Sequence, residues 1–490
     1  MQMYEVRVLP GEKKLTAEAG TNLLECLRQA GLQPDAPCGG RGTCGKCQVL
    51  VDGEPCLSCQ TVVERNMTVT LPQTHDTVIL TGGLQVQVRA DGTNEYVLAF
   101  DIGTTTVVAY LLDGKTGKQL AQASCLNPQT QFGADVISRI QYVTDHQTDE
   151  LQLAIRQALA ELTGETAKRA GIQPEAISLA TIVGNTAMHH LLLGIDPRPL
   201  TTPPYMPSVY EALELPADGL LPICRTGTVR VLPNIAGFVG ADTVGCLASA
   251  RFDRLEKLTL MIDIGTNGEM VLGDKNRRLT CSTAAGPAFE GAKISCGMRG
   301  AEGAVDHVRL EDGKLVWHVI GEEEAVGLCG SGLLDLVACL LETGDITERG
   351  RMPAKSYQLG DTQVVLTQKD VREVQLAKGA IRAGIELMCD YLGERVENIE
   401  TVYLAGAFGN YLDPAAACRI GMIPPCLQDR IRPIGNAAGE GARLCALNAA
   451  EFAATGALAA ETEFLELASL REFQNRFIGC LNFQEPEEDD

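Results

Sequence analysis

Residues 98–106 read Leu-Ala-Phe-Asp101-Ile-Gly103-Thr104-Thr105-Thr106, and residues 260–269 repeat the pattern as Leu-Met-Ile-Asp263-Ile-Gly265-Thr266-Asn267-Gly-Glu. Each copy is an apolar strand that ends near an aspartate, followed by a glycine turn and a second apolar strand. Such a turn can present backbone N–H groups and short hydroxyls to a phosphate, and its aspartate can hold Mg²⁺. A pair of structural hairpins without a ligand is the alternative. The duplication predicts two α/β halves that face one cleft.

A second repeated pattern closes each half. Residues 180–186 read Ala-Thr-Ile-Val-Gly-Asn-Thr, and residues 402–409 read Val-Tyr-Leu-Ala-Gly406-Ala407-Phe408-Gly409. The glycines of the second copy would let the backbone approach an adenine or a ribose closely. The glycine-rich stretch 327–332 could do the same by opening a helix, or could serve helix–sheet packing alone. Between these motifs we expect helices at 148–170, 331–343 and 370–393.

The first 75 residues follow a different pattern. Alternation predicts strands at 3–8 and near 14–17, and Thr21 is placed to cap a helix that runs to about Ala30 and ends at Gly31. Further strands are expected at 48–51 and 67–71, with a turn at Asp52-Gly53. This order is typical of a small β-grasp domain. The turn-rich residues 76–95 are expected to be a linker.

Four cysteines of this first region, Cys38, Cys44, Cys47 and Cys59, have the spacing C-x5-C-x2-C-x11-C, and four glycines lie among the first three. Four thiolates in one short segment can hold an iron–sulfur cluster, and the glycines allow the backbone to wrap closely around it. A zinc site built from two C-x2-C pairs is the alternative, but it leaves Cys38 unused. Cys59 is our choice for the fourth ligand, with Cys56 as the fallback.

The composition is that of an acidic globular protein. Of the 490 residues, 45% are hydrophobic and 21% are charged, and the net charge is −22. Such a length predicts more than one domain, and such a charge argues against nucleic acid as a partner. The sequence shows no secretory signal and no run of about 18 apolar residues, so we expect a cytoplasmic protein that does not span a membrane. The acidic residues 481–490 are expected to be a solvated tail.

The motifs also carry a resemblance to known families. Residues 101–106, 263–269 and 404–409 resemble the phosphate-1, phosphate-2 and adenosine motifs of the actin-like ATPase superfamily. Together with the ferredoxin-like N-terminal region, the chain resembles the reductive activators of corrinoid proteins, which serve methyltransferase systems in anaerobes. The resemblance runs from about residue 3 to about 480, and it also covers residues 127–139, 183–188 and 285–291.

The resemblance implies the architecture and the activity. The fold class is an N-terminal β-grasp, ferredoxin-like domain (1–75) followed by a duplicated actin-like ATPase domain (96–480, with halves of about 96–250 and 251–480). The implied activity is that of an ATP-dependent enzyme that transfers one electron from a 2Fe–2S cluster to the Co(II) corrinoid of a methyltransferase partner, regenerating Co(I). The linker leads straight into the ATPase region, so a separate middle domain, present in larger members of the family, is not expected here.

The same resemblance implies ligands and partners. The cofactors are a 2Fe–2S cluster, ATP and Mg²⁺. The partners are a corrinoid protein and an upstream electron donor such as a ferredoxin, a flavodoxin or a reductase, and a homodimer is the implied oligomeric state. The cluster ligands would be Cys38, Cys44, Cys47 and Cys59.

The nucleotide site would be shared by the two halves. Asp101 and Asp263 would orient Mg²⁺ and the attacking water. Phosphates would be contacted by Thr104, Thr105, Thr266 and Asn267, and the nucleotide by Gly103, Gly265, Gly406, Ala407 and Gly409.

The general base is not identified at this stage. Asp242 and Glu290 are candidates, with helix capping or a surface role as the alternative for each. The pair His189-His190 is expected to pack a helix rather than bind a metal, because no second set of ligands accompanies it.

Two other functions fit parts of the sequence. A redox-regulated kinase of the actin-like superfamily would transfer phosphate to a small molecule. A nucleotide-gated electron carrier would bind ATP without turnover. An activator of 2-hydroxyacyl-CoA dehydratases shares the ATPase fold but carries a different cluster and no ferredoxin-like domain.

Overall fold

The structure is a computed structural model that describes residues 2–30, 32, 36, 40, 42, 47–71, 89–265, 267–291 and 293–483. The described residues form a small N-terminal sheet and two larger sheets with helices packed on them. None of the helices formed by these residues combines the length and the apolar character that a membrane crossing requires.

The N-terminal sheet has the strand order β2-β1-β7-β4-β5. Strand β1 pairs antiparallel with β2 and parallel with β7, and its alternation buries Val6 and Val8 against α1. The elements are β1 (Met3–Leu9), β2 (Lys13–Glu18), β3 (Thr21–Asn22), α1 (Leu23–Gln29), β4 (Gln48–Val51), β5 (Glu54–Leu57), β6 (Val62–Val63) and β7 (Met67–Thr70).

The start of α1 corrects one expectation. Asn22, not Thr21, is the N-cap, because its side-chain oxygen accepts from the backbone N–H groups of Leu24 and Glu25. Thr21 and Asn22 both pair in the short β3–β6 ladder, with Val63 and Val62, so the helix begins one residue later than predicted. The strand β5 was not predicted from the sequence. Gly31, the expected end of the helix, lies outside the described residues.

The first large sheet has the order β10-β9-β8-β11-β13-β12. The hairpin β8–β9 is antiparallel, and β8 then pairs parallel with β11, which pairs parallel with β13. The elements are β8 (Tyr96–Ile102), β9 (Thr106–Asp113), β10 (Gln119–Leu126), α2 (Val136–His146), α3 (Glu150–Ala170), β11 (Ile177–Gly184), α4 (Thr186–Leu193), β12 (Leu213–Pro216), β13 (Thr228–Val231) and α5 (Ala241–Ser249).

The second large sheet, β23-β22-β14-β15-β16-β24, repeats this plan. The hairpin β14–β15 is antiparallel, and β14 pairs parallel with β22, which pairs parallel with β23. The strands are β14 (Thr259–Ile264), β15 (Gly268–Gly273), β16 (Arg278–Thr283), β17 (Ala304–Glu311), β18 (Lys314–Val319), β19 (Gly327–Leu328), β20 (Ser356–Gln358), β21 (Val365–Thr367), β22 (Thr401–Ala405), β23 (Ile431–Gly435) and β24 (Thr462–Phe464). The helices are α6 (Gly330–Thr343), α7 (Gln368–Leu392), α8 (Gly406–Tyr411), α9 (Pro414–Arg419), α10 (Ala437–Leu447), α11 (Ala449–Ala460) and α12 (Arg471–Gly479).

The predicted duplication is therefore confirmed at the level of strand order and direction. Two helices join the halves, because α5 of the first half and α10 of the second pack directly on each other. They meet at two glycines: a Cβ on Gly441 would lie 2.1 Å from the carbonyl oxygen of Gly245. The phosphate turns that follow β8 and β14 lie close to this crossing, because residues of α5 and α10 approach both strand ends.

Candidate nucleotide and cluster sites

Four carboxylates from different elements meet between the two large sheets. Asp101 and Asp263 lie near the ends of β8 and β14, Asp242 lies in the first turn of α5, and Glu269 lies in β15. Burial, reinforced by the charge of Asp242, raises the pKa of Asp101 and of Asp263 to about 7. Burial raises the pKa of Asp242 to about 6 and that of Glu269 well above its ordinary value. A divalent cation nearby would relieve the mutual repulsion of these carboxylates. The described side chains form no group of three or more that could ligate one ion directly, so part of its coordination would come from water or phosphate.

Each crossing helix brings a side chain to the aspartate of the opposite half. Asn436, the N-cap of α10, donates from Nδ2 to Asp101 Oδ2 at 2.8 Å. Cys246 of α5 places its buried Sγ 3.8 Å from Asp263 Oδ2. The two aspartates are therefore oriented by residues that lie outside their own strand–turn motifs.

The turn after β22 needs its glycine. Gly406 has a φ of +83°, and a Cβ at this position would lie 2.6 Å from Asp263 Oδ1. The predicted adenosine motif is therefore in contact with the phosphate-2 aspartate. Ala407 and Gly409 lie with it in α8, where Gly409 packs against Leu404.

The phosphate-1 turn is held from behind by three polar side chains. Asn127 Nδ2 donates to the carbonyl of Gly103 at 2.8 Å, and Asn185 Nδ2 donates to Thr104 Oγ1 at 3.0 Å. The fully buried guanidinium of Arg139 donates to the carbonyl of Thr104, and burial lowers the pKa of Arg139 to about 10. These contacts fix the backbone of the turn and leave its outer side toward the cleft.

The phosphate-2 turn is closed by a backbone hydrogen bond from the N–H of Gly265 to the carbonyl of Asn267, at 2.9 Å. Both residues are partly accessible. Thr266 lies outside the described residues, so its predicted contact with phosphate remains a prediction.

Two of the four predicted ligands of the iron–sulfur cluster lie among the described residues, and their side chains belong to one small packed group. Cys47 and Cys59 pack together with Leu24 and Ala36. The backbone of this segment is tied down, since Ser58 donates from its N–H and its hydroxyl to the carbonyl of Cys47. Cys38 and Cys44 lie outside the described residues. Among the residues that are described, no group of three or more side chains could by itself hold a metal ion.

Cys56, the alternative fourth ligand, lies elsewhere. It is in β5 and packs against the core of the N-terminal sheet, not with Cys47 and Cys59. Gly40 has a φ of +89°, and a Cβ on it would lie 3.8 Å from the Cβ of Cys59. Gly40 therefore lies beside Cys59, and the two described cysteines are donors of the kind that an iron–sulfur cluster takes.

The histidine pair is structural, as the sequence indicated. Both ring nitrogens of His190 bond to the backbone, Nδ1 to the carbonyl of Thr186 and Nε2 to the N–H of Ser208. Burial lowers the pKa of its neighbour His189 to about 4, which keeps that ring neutral.

Sequence reasoning missed several of the residues that build the nucleotide site. Helix capping was the alternative for Asp242. Gly240 holds the N-cap position of α5, but Asp242 Oδ1 accepts from the N–H of Thr243 in the first turn at 2.7 Å, and its charge also acts on Asp101 and Asp263. A surface role for Glu290 is wrong, because its carboxylate is partly buried and accepts from Thr105. No role was predicted for Glu269, which lies in the phosphate-2 motif. No role was predicted for Arg139, Asn185, Cys246 and Asn436, although Arg139 and Asn185 lie in stretches that carried the resemblance.

Asn436 yields a stability test, because it caps α10 through the N–H of Gly439 at 2.8 Å and also bonds Asp101. We expect Asn436→Ala to lower the free energy of unfolding by about 1 kcal/mol through the lost cap, and by more above about pH 7, where the ionised Asp101 also loses its donor. Asn436→Asp keeps the cap but adds a carboxylate beside Asp101. The loss of unfolding free energy in Asn436→Asp should therefore be small at about pH 5 and larger at about pH 8, where Asp101 is ionised. Urea unfolding at both pH values measures this, and equal losses for the aspartate variant would contradict it.

The fold and the site define a class: an actin-like nucleotide-binding ATPase domain that follows a small cysteine-bearing domain. Residues 257–489 match the family model described as the C-terminal domain of RACo, the ASKHA domain, and residues 96–255 match the one described as the RACo middle region. A curated relative, the "corrinoid activation enzyme RamQ" of Eubacterium limosum, is 39% identical over 413 residues, which are 78% of this chain and 69% of that protein. The chain belongs to the family of reductive activators of corrinoid proteins.

Two further comparisons agree with this assignment. The "[Co(II) methylated amine-specific corrinoid protein] reductase" of Methanosarcina barkeri is 34% identical over 238 residues, which are 44% of this chain and 43% of that protein. The solved structure of a "reductive activator for corrinoid,iron-sulfur protein" is 29% identical, has a TM-score of 0.72 and covers 98% of each chain.

The expectation from the sequence was that no separate middle domain lies between the linker and the ATPase halves. The family model described as the RACo middle region matches residues 96–255. In the structure these residues form the first α/β half. The middle region is therefore part of the duplicated fold and not an insertion beside it.

Proposed function

We propose that this protein is an ATP-dependent enzyme that reductively activates a corrinoid protein of a methyltransferase system, returning its cobalt from Co(II) to Co(I) by transfer of one electron. The observation that carries the proposal is the 39% identity to a corrinoid activation enzyme over most of the chain. Two groups of residues support the proposal: Cys47 and Cys59, which pack together in the N-terminal region, and Asp101, Asp242 and Asp263, whose charges interact where the halves meet.

We further propose that Cys38, Cys44, Cys47 and Cys59 hold a 2Fe–2S cluster. When bound, such a cluster supplies one electron at a time. The protein contributes a sheltered loop, in which Cys47 and Cys59 are less than a tenth exposed and the carbonyl of Cys59 accepts from Asn22 Nδ2 at 2.8 Å. Shielding of this kind restricts water at the cluster and fixes the ligands in place.

In the nucleotide site we propose that Asp101 and Asp263 orient Mg²⁺, and that the turns after β8 and β14 hold the phosphates from both sides. The contacting residues would be those predicted from the sequence, from Gly103 to Thr105 and from Gly265 to Asn267. The turn at Gly406 would pack against the nucleoside. Because the two halves contribute one turn each, nucleotide occupancy would change the contacts between them. The free energy of nucleotide binding or hydrolysis would then offset the unfavourable reduction of Co(II).

The partners follow from the same proposal. A corrinoid protein accepts the electron, and an upstream ferredoxin, flavodoxin or reductase supplies it. The acidic surface implied by the net charge of −22 favours contact with basic patches on these proteins. A homodimer is proposed from the family alone.

The test is anaerobic purification, iron and sulfide analysis, and EPR of the dithionite-reduced protein. We expect two iron and two sulfide per chain, and a rhombic EPR signal. The reduced protein should then convert a Co(II) corrinoid protein to Co(I) only when MgATP is present, as followed by visible absorption. Zinc without sulfide would contradict the redox proposal and would leave an actin-like ATPase with a zinc-bearing domain.

The fourth cluster ligand can be tested with a matched pair of variants. We expect Cys59→Ser to lose the EPR signal or shift it strongly, because Cys59 lies with Cys47. Cys56→Ser should keep the signal, because Cys56 packs in the core of the N-terminal sheet. Loss of the signal in Cys56→Ser alone would reverse this assignment.

A further inference from the structure

Glu290 lies between the phosphate turns of the two halves. Its Oε2 accepts a hydrogen bond from Thr105 Oγ1, in the phosphate-1 turn, at 3.2 Å. Its Oε1 lies 3.8 Å from the position that a Cβ would take on Gly265, in the phosphate-2 turn. The two oxygens of one carboxylate thus face both turns at the point where the terminal phosphate of a nucleotide would be held.

The backbone that carries Glu290 is firmly supported. Glu290 ends a short 3-10 helix, Pro287–Glu290, whose Phe289 stacks on Phe408 of α8 with ring centroids 5.1 Å apart and planes at 4°. The next residue, Gly291, has a φ of +77°, and a Cβ there would lie 2.4 Å from the carbonyl oxygen of Met298. A carboxylate on such a support is held in one place, as a group that transfers protons must be.

The electrostatic surroundings of Glu290 differ from those of the other carboxylates in the cleft. The charge of Asp242 acts on Asp101 and Asp263, the two aspartates that we assign to Mg²⁺. A carboxylate engaged with Mg²⁺ is a weak proton acceptor, because the ion stabilises its charge. Glu290 lies apart from this set, beside Thr105 of the phosphate-1 turn.

We propose that Glu290 is the general base of ATP hydrolysis in this protein, an inference that rests on the proposed function. The oxygen of a water molecule forms a bond to the terminal phosphorus, and the bond from that phosphorus to the bridging oxygen breaks, so that ADP leaves with the electron pair. The proton of the water passes to a carboxylate oxygen of Glu290 and then to the released phosphate. The residue touches the reacting water and is therefore catalytic, while Arg139 acts on the turn from behind and is a positioning residue.

The test uses Glu290→Gln in the full-length, cluster-loaded protein. Glutamine keeps an oxygen that accepts from Thr105 but cannot take up the proton. We expect the affinity for MgATP, measured by calorimetry, to stay within about 3-fold of the wild type, and hydrolysis to fall by about 100-fold or more. The matched control is Glu302→Gln, at an exposed glutamate of the same half, which should change neither quantity.

Each other outcome has a distinct meaning. Hydrolysis within about 3-fold of the wild type in Glu290→Gln would overturn the inference, because the carboxylate would then only hold Thr105. A parallel loss of affinity and hydrolysis would overturn it in favour of a structural role. If Glu290→Gln does not fold, Glu290→Asp tests the same point, with lower hydrolysis at unchanged affinity expected. A wild type that binds but never hydrolyses MgATP would overturn this inference and leave the electron-transfer proposal to its own EPR test.

Discussion

Replacing Asp263 by asparagine is expected to abolish MgATP binding and, at the same time, to stabilise the nucleotide-free protein. Binding is lost because the variant removes a carboxylate that we assign to Mg²⁺. Stability rises because the partly buried Asp263 lies close to Asp101 and Asp242, whose charges oppose its own. Calorimetric titration with MgATP and urea unfolding without nucleotide measure the two effects. Asp361→Asn, at an exposed aspartate of the same half, is the matched control.

The stability difference should depend on pH in a defined direction. The pKa of Asp263 is about 7 in the folded protein and has its ordinary value of 3.8 in the unfolded chain. Between these values the folded state holds the extra proton, so the wild type loses stability as the pH rises through this window. The advantage of Asp263→Asn should therefore be absent near pH 4 and reach its full size above about pH 7. If the variant still binds MgATP as the wild type does, the assignment of the site is wrong.

The second large effect is expected from Cys44→Ala. This variant should lose the EPR signal and all ATP-dependent reduction of the corrinoid, because three thiolates remain where the cluster needs four. Its affinity for MgATP should stay unchanged, because the N-terminal sheet and the nucleotide cleft have separate cores. Optical assay of Co(I) formation and calorimetry with MgATP separate the two functions.

Cys426→Ala is the control for this variant, because Cys426 is exposed on the ATPase part of the chain. It should leave both the cluster and the nucleotide site intact. Retained corrinoid reduction in Cys44→Ala would contradict the cluster assignment. A loss of MgATP binding in the same variant would contradict the independence of the two sites.

The sequence predicted the elements that carry strong local signals. The strands that lead to Asp101 and Asp263 were recognised because apolar residues run into a glycine turn, and the long helix α3 because its apolar positions recur at helical spacing. Local sequence could not decide whether Thr21 or Asn22 caps α1, since both pair with a strand far along the chain, at Val63 and Val62, and the helix begins only after this ladder. Tertiary pairing decided the boundary there.

The site was predictable only in part, for a related reason. A motif shows which neighbouring residues follow the end of a strand, and this identified the phosphate turns. It does not show which distant helix packs beside those turns in the folded protein. Asn436 and Cys246 reach the aspartates only because α5 and α10 cross, and Glu290 reaches Thr105 over a sequence separation of 185 residues. The roles of such residues can be recognised only once the fold is known.

The contact between Gly245 and Gly441 has a consequence for how sequences of this fold can diverge. The two helices that join the halves meet through main-chain atoms, with no side chain between them at that point. A side chain at Gly441 would push the main chain of Gly245 away and with it the opposite half of the molecule. The residue at this point is therefore restricted to glycine, whereas the apolar positions of the surrounding cores are restricted only in size and polarity.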